Sequence, residues 1–477
     1  MPLNVLRKLN WVQQLQKKPL YAVLLLSLVI RLVYLALDYP LWWDSHIYIS
    51  MGKFLFSGGE IGIWESFRPL IHPFILGLSW KSGFNPMVVG KVLDLLYSLL
   101  VIVLGYMVAE KIFNKKIAFL SSLLLGLTPL FIMFTGLILT DPLAMLLGLL
   151  GLWFLVRKEN FVSYFLGGLF LALSFLTRFP QGIWFGAVFL VILVWKESLA
   201  LKLKKLTALT LGFLLPVIPY LILNYVQYGS VSEPFVAGSW IVTTATWLYG
   251  EGLLYYFTAF FLLNPLYLLF FPYLYYFYTE KYWKDQRIAF IVFISFFTIL
   301  YFLYVPRKET RYLVTILPFL SMFVAFMLLR IYERLRHNPR PLLRPAAFVV
   351  ICSLLLLIPI PAELHFERPP SFQEELAMAI KEYNVTAPIL ASDPSFVSFL
   401  DHPLITLDGI EFAPSIYQRQ RGNYGLIFLN DCDLICEPGD ETCQVIKDGF
   451  IEQISNENRE IFKKTVRQCT FAIYLPQ

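Results

Sequence analysis

Ionisable residues gather at a few points of an otherwise apolar chain. Asp44 lies in Trp43-Asp44-Ser45-His46-Ile47-Tyr48, and Glu65, Arg68 and His72 follow in Glu65-Ser66-Phe67-Arg68-Pro69-Leu70-Ile71-His72-Pro73. Asp141 stands in Thr140-Asp141-Pro142 and Arg178 in Thr177-Arg178-Phe179-Pro180. Arg307, Lys308, Arg311 and Tyr312 share Pro306-Arg307-Lys308-Glu309-Thr310-Arg311-Tyr312. Carboxylates and guanidiniums brought to one place suit group transfer: a carboxylate takes the proton of an incoming hydroxyl while cations hold a departing phosphate. Asp44 and Asp141 are the candidate catalytic carboxylates. His46, Tyr48, Glu65, Arg68, His72, Arg178, Arg307, Lys308, Arg311 and Tyr312 are candidate substrate contacts.

Each position also has a purely structural use. Asp141 before Pro142 reads as a helix N-cap followed by proline at the first helical position. Asp44 suits the cap of an interfacial helix, with Trp42 and Trp43 as belt aromatics, and Arg178 can snorkel to headgroups. Arg31 and Asp94 stand at matching depths and read as a neutralising pair.

The elements that must position these residues are helices in lipid. Of 477 residues, 58% are hydrophobic and only 15% charged, against about 25% charged in a soluble domain. A mean hydropathy of +0.64 over this length leaves apolar surface that only a bilayer can face. Apolar stretches near 20–38, 87–109, 117–134, 141–156, 161–177, 180–195, 207–225, 253–278, 288–305, 311–330 and 345–361 predict about eleven transmembrane helices. The first run is too long for a signal-peptide core and is expected to remain as a helix. With segment 1–19 cytoplasmic, the inner loops carry roughly three times the Lys and Arg of the short outer ones. The chain is thus a polytopic α-helical membrane protein with a transmembrane domain over 20–361. Its outer loops are 39–86 and 226–252, and residues 362–477 form a small extracytoplasmic α/β domain.

In that domain Phe372–Tyr383 has helical periodicity, while Pro388–Ala391, Leu404–Leu407 and Leu426–Leu429 are strand-like. Cys432, Cys436, Cys443 and Cys469 all fall there, which predicts two disulfides in one of three pairings; the rival zinc site lacks a paired CxxC. Asn384-Val385-Thr386 is a glycosylation sequon. The loop 226–252 offers Glu233, Trp240, Trp247 and Tyr249 as a cover over the site, with Glu233 and Trp240 as further substrate contacts.

The order of motifs resembles the C-fold glycosyltransferases, and within them the dolichyl-phosphate-mannose protein mannosyltransferase and aminoarabinose transferase group. That group has an Arg late in the first span, an acidic pair followed by Tyr, and a basic-Pro-Pro-Leu-Tyr-Pro stretch, echoed here by Arg31, Asp44 with Tyr48, and Arg68 through Pro73. Its later elements are echoed by Thr140-Asp141, Thr177-Arg178-Phe179-Pro180 and Arg311-Tyr312 with Pro318. Two positions depart from the pattern: Ser45 replaces the second acid, and Phe179 separates Arg178 from its proline. The resemblance implies an inverting transfer of a sugar (mannose or a related hexose or pentose) from a polyprenyl or dolichyl phosphate to an acceptor protein, glycan or lipid on the non-cytoplasmic face. Asp44 would be the general base and Asp141 would orient acceptor or sugar; Arg178, Arg307, Lys308 and Arg311 would hold the lipid phosphate. No cofactor is called for beyond the lipid-phosphate donor; a divalent metal is compatible with the family but not indicated where the second acid is missing. His46 could supply part of that acid's role, though a lone His in such a loop more often only hydrogen-bonds. The expected partners are membrane lipids, donor and acceptor, not nucleic acid.

A transporter or flippase of lipid-linked saccharides is the main rival. It would place polar residues at the midplane on interrupted helices, with internal repeats, whereas these residues hug one surface and no repeat is evident. A non-catalytic scaffold leaves Asp44, Asp141 and Arg311 unexplained.

Overall fold

The computed structural model describes residues 19–243, 246–337, 343–357 and 377–477, the last without 379, 382, 384, 408 and 467. Residues 1–18, most of the expected helix over 372–383 and the sequon residue Asn384 lie outside the described residues. Among the described residues six helices are long and apolar enough to cross a membrane: Pro19–Ala36, Pro86–Ile112, Thr140–Arg157, Leu199–Tyr228, Gln286–Tyr304 and Thr310–Arg336. Shorter apolar helices occupy Phe161–Thr177, Phe179–Val194 and Pro345–Leu357. The protein is a multi-pass membrane protein.

Two of the expected spans are broken helices. Lys115–Leu127 gives way to Pro129–Met133 at Thr128, and Tyr255–Leu263 passes through a 3-10 segment, Pro265–Leu269, to Phe270–Thr279. A break at membrane depth is tolerated only where neighbours satisfy the freed polar groups. Here the Tyr267 hydroxyl bridges Thr128 Oγ1 (2.7 Å) and Ser321 Oγ (2.9 Å), while Asn264 Nδ2 donates to the Leu355 carbonyl at 2.8 Å. Asn114, Asn160, Ser198 and Asp285 begin four helices by accepting amide hydrogen bonds in the first turn.

The loop 39–86, which the charge pattern reads as outer, is mostly helix. Trp43–Ser57, which carries Asp44, crosses Ile71–Lys81 at Gly52 and Gly77. A β-carbon on Gly52 would lie 2.6 Å from the Gly77 nitrogen, so the crossing requires glycine there.

The C-terminal domain holds a five-stranded sheet of β1 (Ile389–Ala391), β2 (Leu404–Thr406), β3 (Leu426–Asn430), β4 (Asn458–Val466) and β5 (Cys469–Pro476), in the order β2-β1-β3-β5-β4. β1 runs parallel to β2 and β3, and β5 is antiparallel to β3 and β4. Strand alternation sends Leu390, Ile427, Leu429 and Tyr474 to one face, beneath Tyr417, Phe450 and Ile454. Ile389, Ala391, Leu426, Phe428 and Ile473 face the other way and pack with Ile47, Met51 and Ile63 of the first outer loop. The domain therefore docks on the helix that carries Asp44. Lys53 fastens the contact, its ammonium on the Val397 (2.5 Å) and Leu400 (3.2 Å) carbonyls and the Asp401 carboxylate (2.8 Å).

The pairing left open by the sequence is Cys432–Cys469 and Cys436–Cys443. The bridges close segments 37 and 7 residues apart, worth about 4 and 2 kcal/mol of chain entropy respectively. Replacing both Cys432 and Cys469 with Ser should thus lower the domain's unfolding temperature more than replacing Cys436 and Cys443, as read by thermal scans of the purified protein.

Candidate active site

Asp44 sits in the first turn of Trp43–Ser57, after a break at Trp42. Its Oδ1 lies 3.0 Å from Arg68 Nη1 and its Oδ2 2.9 Å from Arg311 Nη1. Burial alone would raise the Asp44 carboxyl; the two guanidiniums outweigh it and hold the group below the usual carboxylate range. Arg68 is paired in turn with Glu65 and lies 5.2 Å over the Tyr48 ring, which meets His72 edge-on. Its pKa is shifted upward, with burial opposing and Glu65 and Asp44 prevailing.

Glu309 links the other side. It accepts from Arg307 Nε (2.6 Å) and Tyr312 OH (3.0 Å) and pairs with Arg311 Nε at 2.8 Å. Glu309 was not among the expected site residues; its signal was an acid placed between arginines in Arg307-Lys308-Glu309-Thr310-Arg311. Arg307 lies 3.5 Å over the Tyr249 ring, and the Gly250 amide donates to the Lys308 carbonyl at 3.0 Å. The second outer loop thus reaches the cluster through Tyr249 and Gly250. Glu233 opens a helix beside Tyr228, and Trp240 meets Phe412 of the C-terminal domain edge-on.

Several structural readings are corrected. Thr140–Arg157 begins without a side-chain cap, and Asp141 Oδ2 instead pairs with Arg178 Nη1 at 2.8 Å. Asp141 is 2% exposed, so it orients Arg178 more readily than it meets a substrate. Arg178 is accordingly held at the site and does not snorkel outward. Arg31 and Asp94 do not pair: Arg31 bonds Ser98 Oγ and the Gly126 carbonyl, both at 3.0 Å, and Asp94 accepts from the Ile138 amide at 2.6 Å. Lys308 turns its ammonium to the Phe302, Leu303 and Val305 carbonyls and so closes the end of Gln286–Tyr304.

His46 faces the docked domain, with Nδ1 2.7 Å from Ser398 Oγ. Burial lowers its pKa to about 3 and that of His72 to about 4. The unfolded chain takes up these protons near pH 6.5 while the folded one refuses them, so stability falls as pH drops from there toward 4. Each group contributes up to about 1.4 kcal/mol per pH unit in that window. Unfolding temperatures measured against pH should fall across it, and less steeply in His46→Gln.

An apolar groove of about 580 Å³ runs between two apolar helices, lined by Ile183, Leu190, Phe297, Leu300 and Tyr301 among others. Tyr301 in that lining lies within electrostatic reach of Arg178.

Residues 68–223 match the family model described as dolichyl-phosphate-mannose-protein mannosyltransferase. The fold is shared with ArnT from Cupriavidus metallidurans bound to undecaprenyl phosphate (TM-score 0.64, 13% identity, covering 95% of this chain and 97% of that one). The chain has the C-fold shared by these membrane glycosyltransferases. It also shares its fold with the oligosaccharyltransferase AglB from Archaeoglobus fulgidus in complex with an inhibitory peptide and dolichol-phosphate (0.58, 9%, 97% and 75%). A third such structure is the arabinofuranosyltransferase AftD from Mycobacteria (0.54, 13%, 96% and 40%). No curated protein sequence matches the chain. The chain is thus similar to the protein mannosyltransferase and aminoarabinose transferase group.

Proposed function

We propose that this protein is a glycosyltransferase that moves a sugar, with inversion, from a polyprenyl or dolichyl phosphate to an acceptor hydroxyl on the non-cytoplasmic face. The N-terminus is then cytoplasmic, the chain crosses the membrane eleven times, and the C-terminal domain lies outside. The observation that carries the reading is Asp44 held between Arg68 and Arg311. Fold relatives solved with undecaprenyl phosphate or dolichol-phosphate support the donor class.

The acceptor oxygen attacks the anomeric carbon as that carbon's bond to the phosphate oxygen breaks. The electron pair leaves with the phosphate, and the acceptor proton passes to Asp44. Each guanidinium of Arg68, Arg178, Arg307 and Arg311 is matched by a carboxylate of Asp44, Glu65, Asp141 or Glu309. A donor phosphate must therefore displace a carboxylate from an arginine. Taking Arg311 from Asp44 frees one carboxylate oxygen and raises its basicity only when donor is bound. Arg178 keeps an Nε without a partner among the described residues, and the apolar groove suits the prenyl chain. No metal ion is invoked.

The two broken helices favour a transporter reading, since such interruptions mark many transport sites. The breaks at Thr128 and Asn264 are closed by neutral hydrogen bonds, which leaves no charged site there for a substrate. Protein reconstituted in vesicles with radiolabelled polyprenyl-phosphate sugars and a panel of hydroxyl acceptors separates the readings. Release of polyprenyl phosphate with label on the acceptor supports transfer. Passage of intact donor across the bilayer, without cleavage, overturns it.

A further inference from the structure

Between the two acidic motifs runs the loop 134–139, which ends in Thr140-Asp141. Ile138 in this loop has φ 55° and Gly136 φ 97°. A β-branched residue at positive φ is strained and persists only where its surroundings hold it. Two residues one helical turn apart on Pro86–Ile112 do so. At Gly90 a β-carbon would lie 2.7 Å from Ile138 Cγ2, so the missing side chain is the notch that receives Ile138. Asp94, fully buried, accepts the Ile138 amide at 2.6 Å, and the Gly136 and Leu139 amides also face its carboxylate. Three backbone amides thus converge on one buried carboxyl group of the neighbouring helix.

The loop is tied from its other side by Ser45, whose hydroxyl donates to the Leu137 carbonyl. Ser45 follows Asp44, and Asp141 follows the loop by two residues and holds Arg178. The loop is thus the physical connection between the Asp44 helix and the Asp141–Arg178 pair.

We infer that Asp94 is a positioning residue of the transfer reaction, which fixes this loop so that Arg178 and Asp44 address one donor. The inference rests on the transferase reading. It acts through Asp141, and that route makes it testable. Asp94→Ala should lower kcat about 100-fold, the scale of a 1 Å misplacement, with donor KM changed less than about threefold. Asp94→Asn keeps an oxygen for the Ile138 amide and should stay within about fivefold of wild type. In an Asp141→Asn background, Asp94→Ala should cost less than about twofold further, because the group it positions is already gone. Ser45→Ala, which cuts the other tether, should lower kcat about tenfold and likewise lose its effect beside Asp141→Asn; it stands in if Asp94→Ala does not fold.

Wild-type rates in Asp94→Ala, a folded Asp94→Asn as poor as Asp94→Ala, or full additivity with Asp141→Asn would each overturn the positioning role and leave the transferase standing. A wild type that cleaves no donor removes both.

Discussion

Asp44→Asn is expected to lower kcat/KM for sugar transfer by about 10³–10⁴-fold, the upper part of what a general base contributes. The substitution keeps the shape of the side chain and removes the charge and the proton acceptor. It also removes the anion that pairs with Arg68 and Arg311. Donor affinity should therefore hold or improve while kcat collapses. A loss of donor binding in step with the rate would make Asp44 a donor contact and move the base elsewhere. The pH dependence follows from the same pair of guanidiniums. They keep the Asp44 carboxyl below its ordinary range, so the free enzyme retains its base as pH falls, and the acid limb of kcat/KM lies below about pH 4. Arg68→Ala should move that limb upward.

The second large effect is expected at Arg311. Arg311→Ala should cost about 10²–10³-fold in kcat, the range seen when one preorganised donor to a developing anion is removed. Arg311→Lys should recover only part, because an ammonium cannot serve Asp44 and Glu309 with the fixed fork of a guanidinium. If Arg311 is the group that passes from Asp44 to the donor phosphate, its removal also raises donor KM. Single-turnover rates against donor concentration separate the two effects. A full rescue by Lys would reduce Arg311 to a point charge.

The sequence made the membrane class and the fold legible, and it singled out charged residues that the structure gathers in one cluster, because lipid leaves few reasons for an arginine or aspartate to be at that depth. Asp44, Arg68 and Arg311 are far apart in the chain yet share one kind of span end, and the structure brings them together. What spacing could not show was pairing. Arg31 and Asp94 stand at matching depths, but one is spent on Ser98 and Gly126 and the other on a loop. Lys308 looked like a phosphate contact, yet its ammonium is spent on the Phe302 and Leu303 carbonyls at a helix end. Glu309 is masked in the sequence by the cations on either side of it. In the C-terminal domain the three short apolar strands were legible. The β4–β5 hairpin was not, since β4 is an edge strand whose Lys463 and Lys464 mask the alternation while guarding the edge.

The most direct test of the central claim is the anomeric configuration of the product. Purified enzyme is given a polyprenyl-phosphate sugar of one defined anomer, and the glycosylated acceptor is read by NMR after a single turnover. Displacement assisted by one base at Asp44 predicts the inverted anomer with one polyprenyl phosphate released per sugar transferred. Retention of configuration would contradict it, since that outcome needs a covalent or returned intermediate that a single base between two arginines does not provide.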